Sequence, residues 1–305
     1  MNRHQPTLVV ALGGNALLRR GQPLDAEIQR SNIAMAAATL ATLSQEWRLV
    51  LVHGNGPQVG LLALQNSACH DVPPYPLDIL GAESQGMIGY MLIQALKNRL
   101  PDTEVTAVLT QVEIDPNDPA FQAPTKFIGP VYTAPQVAAL PVGNGWVMKA
   151  DGQYLRRVVP SPRPQRIIEA QAITTLTAHD HLVICSGGGG IPVAAIHGEM
   201  RGIEAVIDKD LSASLLARQI NADALLILTD ADAVYADWGK PTQEALRQTT
   251  PRGLASMHFD SGSMGPKIQA ACEFVNTTGG MVGIGALADG VAILHGTKGT
   301  RITRD

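Results

Sequence analysis

AVIDKDLSASLLA, residues 205–217, is the stretch from which the fold can be read. Asp208 and Asp210 flank Lys209 where an apolar, strand-like run gives way to a helical one. From Leu211 the apolar residues recur at Leu215, Leu216 and Ile220, the three-to-four spacing of an amphipathic helix. Asp210 and its neighbours then stand near a helix N-terminus, where free N–H groups and the helix dipole favour anions. A lysine held between two acids there suits a phosphoryl group better than a metal. A helix cap with a solvated ion pair would show the same pattern, so the rest of the chain has to decide between the two.

Outward from this stretch, one design repeats: a short apolar run, then a glycine turn. Residues 7–12 (TLVVAL) read as a buried parallel strand ending in Gly13-Gly14-Asn15-Ala16. The run resembles a signal sequence faintly, but its paired glycines fit a strand and turn better. Residues 27–43 read as a helix and 49–53 as a second strand, which ends in His53-Gly54-Asn55-Gly56-Pro57. In open parallel sheets ligands lie beyond the carboxyl ends of strands, so two such turns can line one crevice. A broad apolar stripe over 79–100 predicts a helix, either core or subunit interface, with Gly86 and Gly89 allowing close packing. A strand is expected at 105–109, a helix at 166–176 and a strand at 181–185 running into Gly187-Gly188-Gly189-Gly190. Further strands are expected at 224–228, before Asp230 and Tyr235, and at 281–284. The apolar 291–294 is read as completing the sheet, and Met264 and Lys267 precede a helix at 268–275.

Between 111 and 164 the character changes to Pro, Gly and polar residues. Some 50 residues are too many for a plain loop, so this stretch reads as an inserted subdomain or lid carrying Lys126.

Composition narrows the class. A chain of 305 residues, 45% hydrophobic but only 4% aromatic, builds its interior from aliphatic side chains, as α/β proteins do. A formal net charge of −4 disfavours a nucleic-acid or acidic-membrane partner. Cys69, Cys185 and Cys272 are odd in number and lack metal-ligand spacing, so they read as reduced, mostly buried thiols. No apolar run reaches membrane-spanning length, and a cytoplasmic protein is expected. The phosphate signatures GxxxxGK[ST] and GxGxxG are absent, as is the protein-kinase set. The pair His179 and His181 is expected to be exposed rather than zinc-binding. Glycine turns at strand ends, with Lys126, Lys209 and Lys267 each beside a turn or helix start, are what phosphoryl transfer requires.

Seven motifs in order resemble those of carbamate kinases, within the amino acid kinase superfamily: GGNA (13–16), HGNGPQVG (53–60), TKFIGPVY (125–132), RRVVPSP (156–162), GGGGIPV (187–193), AVIDKD (205–210) and GSMGPK (262–267). The resemblance implies a three-layer αβα sandwich with a mainly parallel sheet and a small protruding subdomain. It further implies a homodimer that interconverts ATP and carbamate with ADP and carbamoyl phosphate. Residues 1–180 would form the acceptor lobe, including the subdomain at about 111–164, and 181–305 the nucleotide lobe. Gly13, Gly14, Asn15, Gly54, Asn55 and Gly56 would hold carbamate and the transferring phosphoryl group. Lys126, Lys209 and Lys267 would neutralise charge, with Lys126 delivered by movement of the subdomain and Asp210 orienting the lysines. Gly187–Gly190, Asp230, Tyr235, Met264 and Lys267 would meet the nucleotide, and Mg²⁺ would be held chiefly by its phosphates. Phe127 and Val131 depart from the KPIGPF pattern, and Ser186 and Ser261 flank familiar motifs. Another small-acid kinase of the superfamily and a non-catalytic nucleotide-binding regulator are the alternatives. A nicotinamide dehydrogenase lacks its fingerprint here.

Overall fold

A computed structural model describes the chain except residues 1–4, 15–16, 19–20, 70, 140–144, 261 and 305. The apolar run Thr7–Leu12 forms the central strand, every residue buried. It pairs in parallel with Arg48–His53 on one side and Ala224–Thr229 on the other. The full sheet runs Gln248–Thr249, Thr300–Ile302, Met281–Ala286, Ala224–Thr229, Thr7–Leu12, Arg48–His53, Leu182–Cys185, Val105–Ala107. Only the pairing of Met281–Ala286 with Thr300–Ile302 is antiparallel.

A strand buried on both faces sends alternate side chains to opposite layers. Val9, Ala11, Val50 and Ile227 face helices Ala170–Ala178, Lys209–Gln219 and Met264–Thr278, with Phe274 at the centre of that layer. Leu8, Val10, Leu51 and Leu226 face helices Ala26–Leu43, Leu77–Lys97 and Gly290–Leu294. The result is a three-layer αβα sandwich. Because the strands on either side of Thr7–Leu12 are reached by connections running opposite ways, a crevice opens beyond the carboxyl ends of these central strands.

The 111–164 stretch divides between two small sheets. Gln111–Ile114 pairs with Ile191–Ile196 and Pro164–Ile167. Lys126–Tyr132, Val147–Asp151 and Tyr154–Val159 form a separate three-stranded sheet. This sheet rests on helix Gly56–Ala68, sharing a small core of Val59, Ala63, Leu80, Ile128, Val159 and Val206.

Several elements differ from the sequence reading. Val291–Leu294 is not a strand but most of helix Gly290–Leu294; a four-residue apolar run fits either state, and here it packs on the Leu226 layer. The sheet's edge is instead made by Thr300–Ile302 and Gln248–Thr249. Arg166 and Ile167 end a strand, and the helix after them starts at Ala170. Ala205–Ile207 is buried but irregular, not a strand. A hairpin of Ile191–Ile196 and Glu199–Gly202, exposed along its second strand, was not expected at all. Strand Leu182–Cys185 lies between Arg48–His53 and Val105–Ala107, so a lobe boundary at 180/181 cuts through the first half of the sheet. Among the cysteines Cys185 is buried, but Cys69 is exposed and Cys272 intermediate. Among the described residues no helix is long and apolar enough to cross a membrane.

Candidate active site

The crevice is built from two strand ends and a helix start. Gly13 follows the central strand and donates its N–H to the Leu228 carbonyl at 2.9 Å. Gly54 follows the neighbouring strand and donates to the Leu12 carbonyl at 3.1 Å. Gly14 and Gly54 are in close approach: a Cβ on Gly54 would lie 3.4 Å from Gly14 N and 3.4 Å from Lys209 Cδ. Helix Gly56–Ala68 starts here with Pro57 in its first turn, aiming its free N–H groups at the same space. Asn55 is buried, and its amide donates to Ser84 Oγ at 2.8 Å. Asn15 lies outside the described residues.

IDKD closes the crevice from the other layer. Asp208, not Asp210, is the N-cap of helix Lys209–Gln219: its Oδ1 accepts from Asp210 N at 2.9 Å and Leu211 N at 3.3 Å. Asp210 sits in the first helical turn, 2% exposed, between two ammonium groups. Its Oδ1 is in contact with Lys209 Nζ, and its Oδ2 is 3.3 Å from Lys267 Nζ. Lys267 also donates to the Ser263 carbonyl at 3.1 Å. Lys126, 82 residues before Asp208, donates to Asp208 Oδ2 at 2.5 Å.

Sequence reasoning attached no role to Asp208 or to this pair, since no local pattern joins a strand of the subdomain to a loop so distant. In this structure the subdomain holds Lys126 against Asp208.

The electrostatics follow from burial and pairing. Burial pushes the Lys209 ammonium down, and Lys267 adds repulsion; Asp210 works against both, and the net displacement is downward. Lys126 is also penalised by burial, yet Asp208 outweighs this and holds it above the ordinary lysine value. Asp208 in turn is kept well below the usual carboxylate range by Lys126 and Lys209, despite its burial. His53, 1% exposed, is lowered to about 4 by desolvation. Its Nδ1 lies 3.0 Å from the Gly54 carbonyl oxygen, which can only accept, so Nδ1 carries the proton of a neutral ring. Three ammonium groups thus face two carboxylates, leaving positive charge over for a polyanion.

Gly187–Gly190 follow strand Leu182–Cys185. All four are buried. A Cβ would lie 2.5 Å from His53 Nε2 at Gly187, 2.1 Å from Asn55 Nδ2 at Gly188 and 2.3 Å from the Ile207 carbonyl oxygen at Gly189. Close packing against the His53–Asn55 turn and Ile207 demands glycine at these positions. Ser186, which precedes them, is buried with left-handed φ of 47°. The other nucleotide candidates stand elsewhere. Asp230 is the first residue past strand Ala224–Thr229. Tyr235 donates to Asp232 at 2.8 Å from a short hairpin beyond it. Met264 opens the helix that carries Lys267. Phe127 lines the crevice with its backbone, 3.8 Å from where a Gly56 Cβ would be, whereas Val131 is 40% exposed. Ser261 lies outside the described residues.

Comparison with known proteins bears on the chemistry. Residues 6–282 match the amino acid kinase family. The carbamate kinase of Escherichia coli O6:H1 is 57% identical over 297 residues, covering 97% of this chain and 99% of that protein. Carbamate kinase from Giardia lamblia bound to citric acid superposes with a TM-score of 0.94 at 41% identity, covering 99% of both chains. The same enzyme bound to AMP-PNP superposes with a TM-score of 0.90, again at 41% identity and 99% of both chains.

Proposed function

The chain belongs to the amino acid kinase family, among its carbamate kinases, and we propose that it transfers a phosphoryl group reversibly between ATP and carbamate, giving ADP and carbamoyl phosphate. One observation supports this most: Lys126, Lys209 and Lys267 converge, through Asp208 and Asp210, on the glycine turns beyond the central strand ends.

Carbamate is already an anion, so no proton has to leave the attacking oxygen and the site needs no general base. Accordingly Asp208 and Asp210 are both occupied by lysines, and His53 is turned to the Gly54 carbonyl. What the reaction does require is alignment of two anions and compensation of the charge on the transferring group. The Gly13–Gly14 and Gly54–Gly56 turns hold carbamate and that group with the N–H groups of Gly14, Asn55 and Gly56, those of Gly13 and Gly54 being taken by the sheet. Lys209 and Lys267, spaced by Asp210, meet the nucleotide side, and Lys126 meets the group from the subdomain. Asp230, Tyr235 and Met264 border the nucleotide.

Among the described residues no group of three or more His, Cys, Asp or Glu side chains could cage a metal. A Mg²⁺ that arrives with the nucleotide would be held by phosphate oxygens and would supply further charge neutralisation. We place the protein in the cytoplasm as a homodimer; the exposed Met35, Ile79 and Tyr90 on helices Ala26–Leu43 and Leu77–Lys97 suit a subunit contact.

The test is formation of ATP from ADP, Mg²⁺ and carbamoyl phosphate by the purified protein. Turnover on acetylglutamate with none on carbamoyl phosphate would contradict the reading.

A further inference from the structure

Lys126 is the one lysine of the site that reaches it from outside the sandwich, and a long side chain so placed has to be aimed by something. Its own strand contributes part of the answer. In Lys126–Tyr132, Gly129 meets Gly60 of helix Gly56–Ala68 so closely that a Cβ on Gly60 would lie 1.9 Å from Gly129 Cα. Arg156 of the adjacent strand donates to the Gly129 carbonyl at 2.8 Å and fixes the bulge there. The backbone of Lys126 is therefore set, but four rotatable bonds separate it from its ammonium.

Asp208 supplies the remaining constraint. One of its oxygens accepts from Lys126 Nζ at 2.5 Å, and the other caps the helix that carries Lys209 and Asp210. Asp208 is 8% exposed, while the Lys126 side chain retains 32% exposure. An ammonium has three donors. One is used on Asp208, and two are left for the crevice.

We propose that Asp208 is a positioning residue for the phosphoryl transfer, aiming Lys126 with one carboxylate oxygen while the other holds the turn that presents Lys209 and Asp210. The proposal rests on the reaction proposed above. It makes one carboxylate the link between the subdomain and the sandwich, so that two lysines 83 positions apart in sequence keep a fixed relation in space. The charged groups acting on Lys126 are Asp208, Asp210 and Arg156. Of these, Asp208 contributes most to holding its proton, and it also holds up the proton of Lys209, so loss of that carboxylate lowers the pH at which both lysines deprotonate, Lys209 first.

The experiment uses the full chain with Asp208→Asn and Asp208→Ser, each alone and combined with Lys126→Met. Asn and Ser cap helices about as well as Asp. ATP formation from ADP and carbamoyl phosphate is followed against pH, with a thermal melt of each variant. The unaltered protein is assayed first: no ATP there refutes the reaction, whereas the later comparisons bear on Asp208 alone. The expected result for both single variants is a fall in kcat of about 100-fold, the size of a 1 Å misplacement, with KM for ADP little changed. The alkaline limb of the profile should move to lower pH, and with Lys126→Met already present the change at 208 should add no further loss. Near-normal kcat in both single variants, whatever the melting temperature, would make Asp208 only a cap and overturn the proposal. Losses that multiply in the double variants, an unmoved alkaline limb, or failure of both single variants to fold would overturn it as well.

Discussion

At the scale of single residues, the site is a balance between lysines that repel and carboxylates that keep them charged. Lys209 needs its proton to stabilise the transferring group. Burial, then Lys267, pull its pKa below 10.5, so activity should fall at high pH earlier than an ordinary lysine would dictate. Lys209→Met keeps most of the apolar stem and should lower kcat by roughly 10²–10³-fold, measured by steady-state kinetics, with the fold retained. His53 makes a separate prediction about stability. Its folded pKa of about 4 lies below the unfolded value of 6.5, so unfolding takes up a proton between these values. Stability therefore declines as pH falls from about 6.5 and levels off near 4, by a few kcal/mol at full extent. His53→Gln should flatten that decline in urea titrations at pH 7 and pH 5; an unchanged slope would place the acid sensitivity elsewhere. Residue identities were legible in sequence where a local pattern framed them. Lys209 and Asp210 stand at a helix start that the apolar spacing from Leu211 marks, although the run before it is not the strand that was expected. The pairing of Lys126 with Asp208 was not legible, because only the packed subdomain brings the two together.

At the scale of elements, helix Gly56–Ala68 joins substrate turn to subdomain. It begins in the turn after His53, and one turn later carries Gly60 against Gly129. Gly60→Ala would force these backbones apart, since the new Cβ would fall 1.9 Å from Gly129 Cα. Overpacking of this kind costs about 1–3 kcal/mol. We expect that loss in urea unfolding, together with lowered kcat and unaltered ADP affinity, because Lys126 moves while the nucleotide-side residues do not. A loss of ADP affinity equal to the loss of turnover would put this helix in the wrong half of the site. Six of the eight strands of the central sheet were readable from sequence as short, mainly apolar runs, whereas the edge strands Gln248–Thr249 and Thr300–Ile302 carry too few apolar residues to mark them. Val291–Leu294 was misread because so short a run has no period, and only packing on Leu226 makes it a helix. Glu199–Gly202 was invisible because an exposed strand of mixed polarity carries no apolar alternation.

At the scale of the whole molecule, the strand Thr7–Leu12 divides the sheet. Arg48–His53 and Leu182–Cys185 lie on one side, Ala224–Thr229 and Met281–Ala286 on the other, and the crevice opens where they part. IDKD crosses this divide: it follows the glycine loop of the first side and opens the helix that leads to the strand of the second. Its two carboxylates bind lysines from three separate segments, so the active arrangement exists only when sandwich and subdomain are both folded. That makes Asp210 the residue on which the account depends most. Asp210→Asn keeps the shape of the side chain and removes the charge that separates Lys209 from Lys267. Assayed well below the variant's own melting transition, with ADP binding measured in parallel, it should lose at least tenfold in kcat for ATP formation and show an alkaline limb at lower pH. Normal turnover in a folded, ADP-binding Asp210→Asn protein would contradict the account.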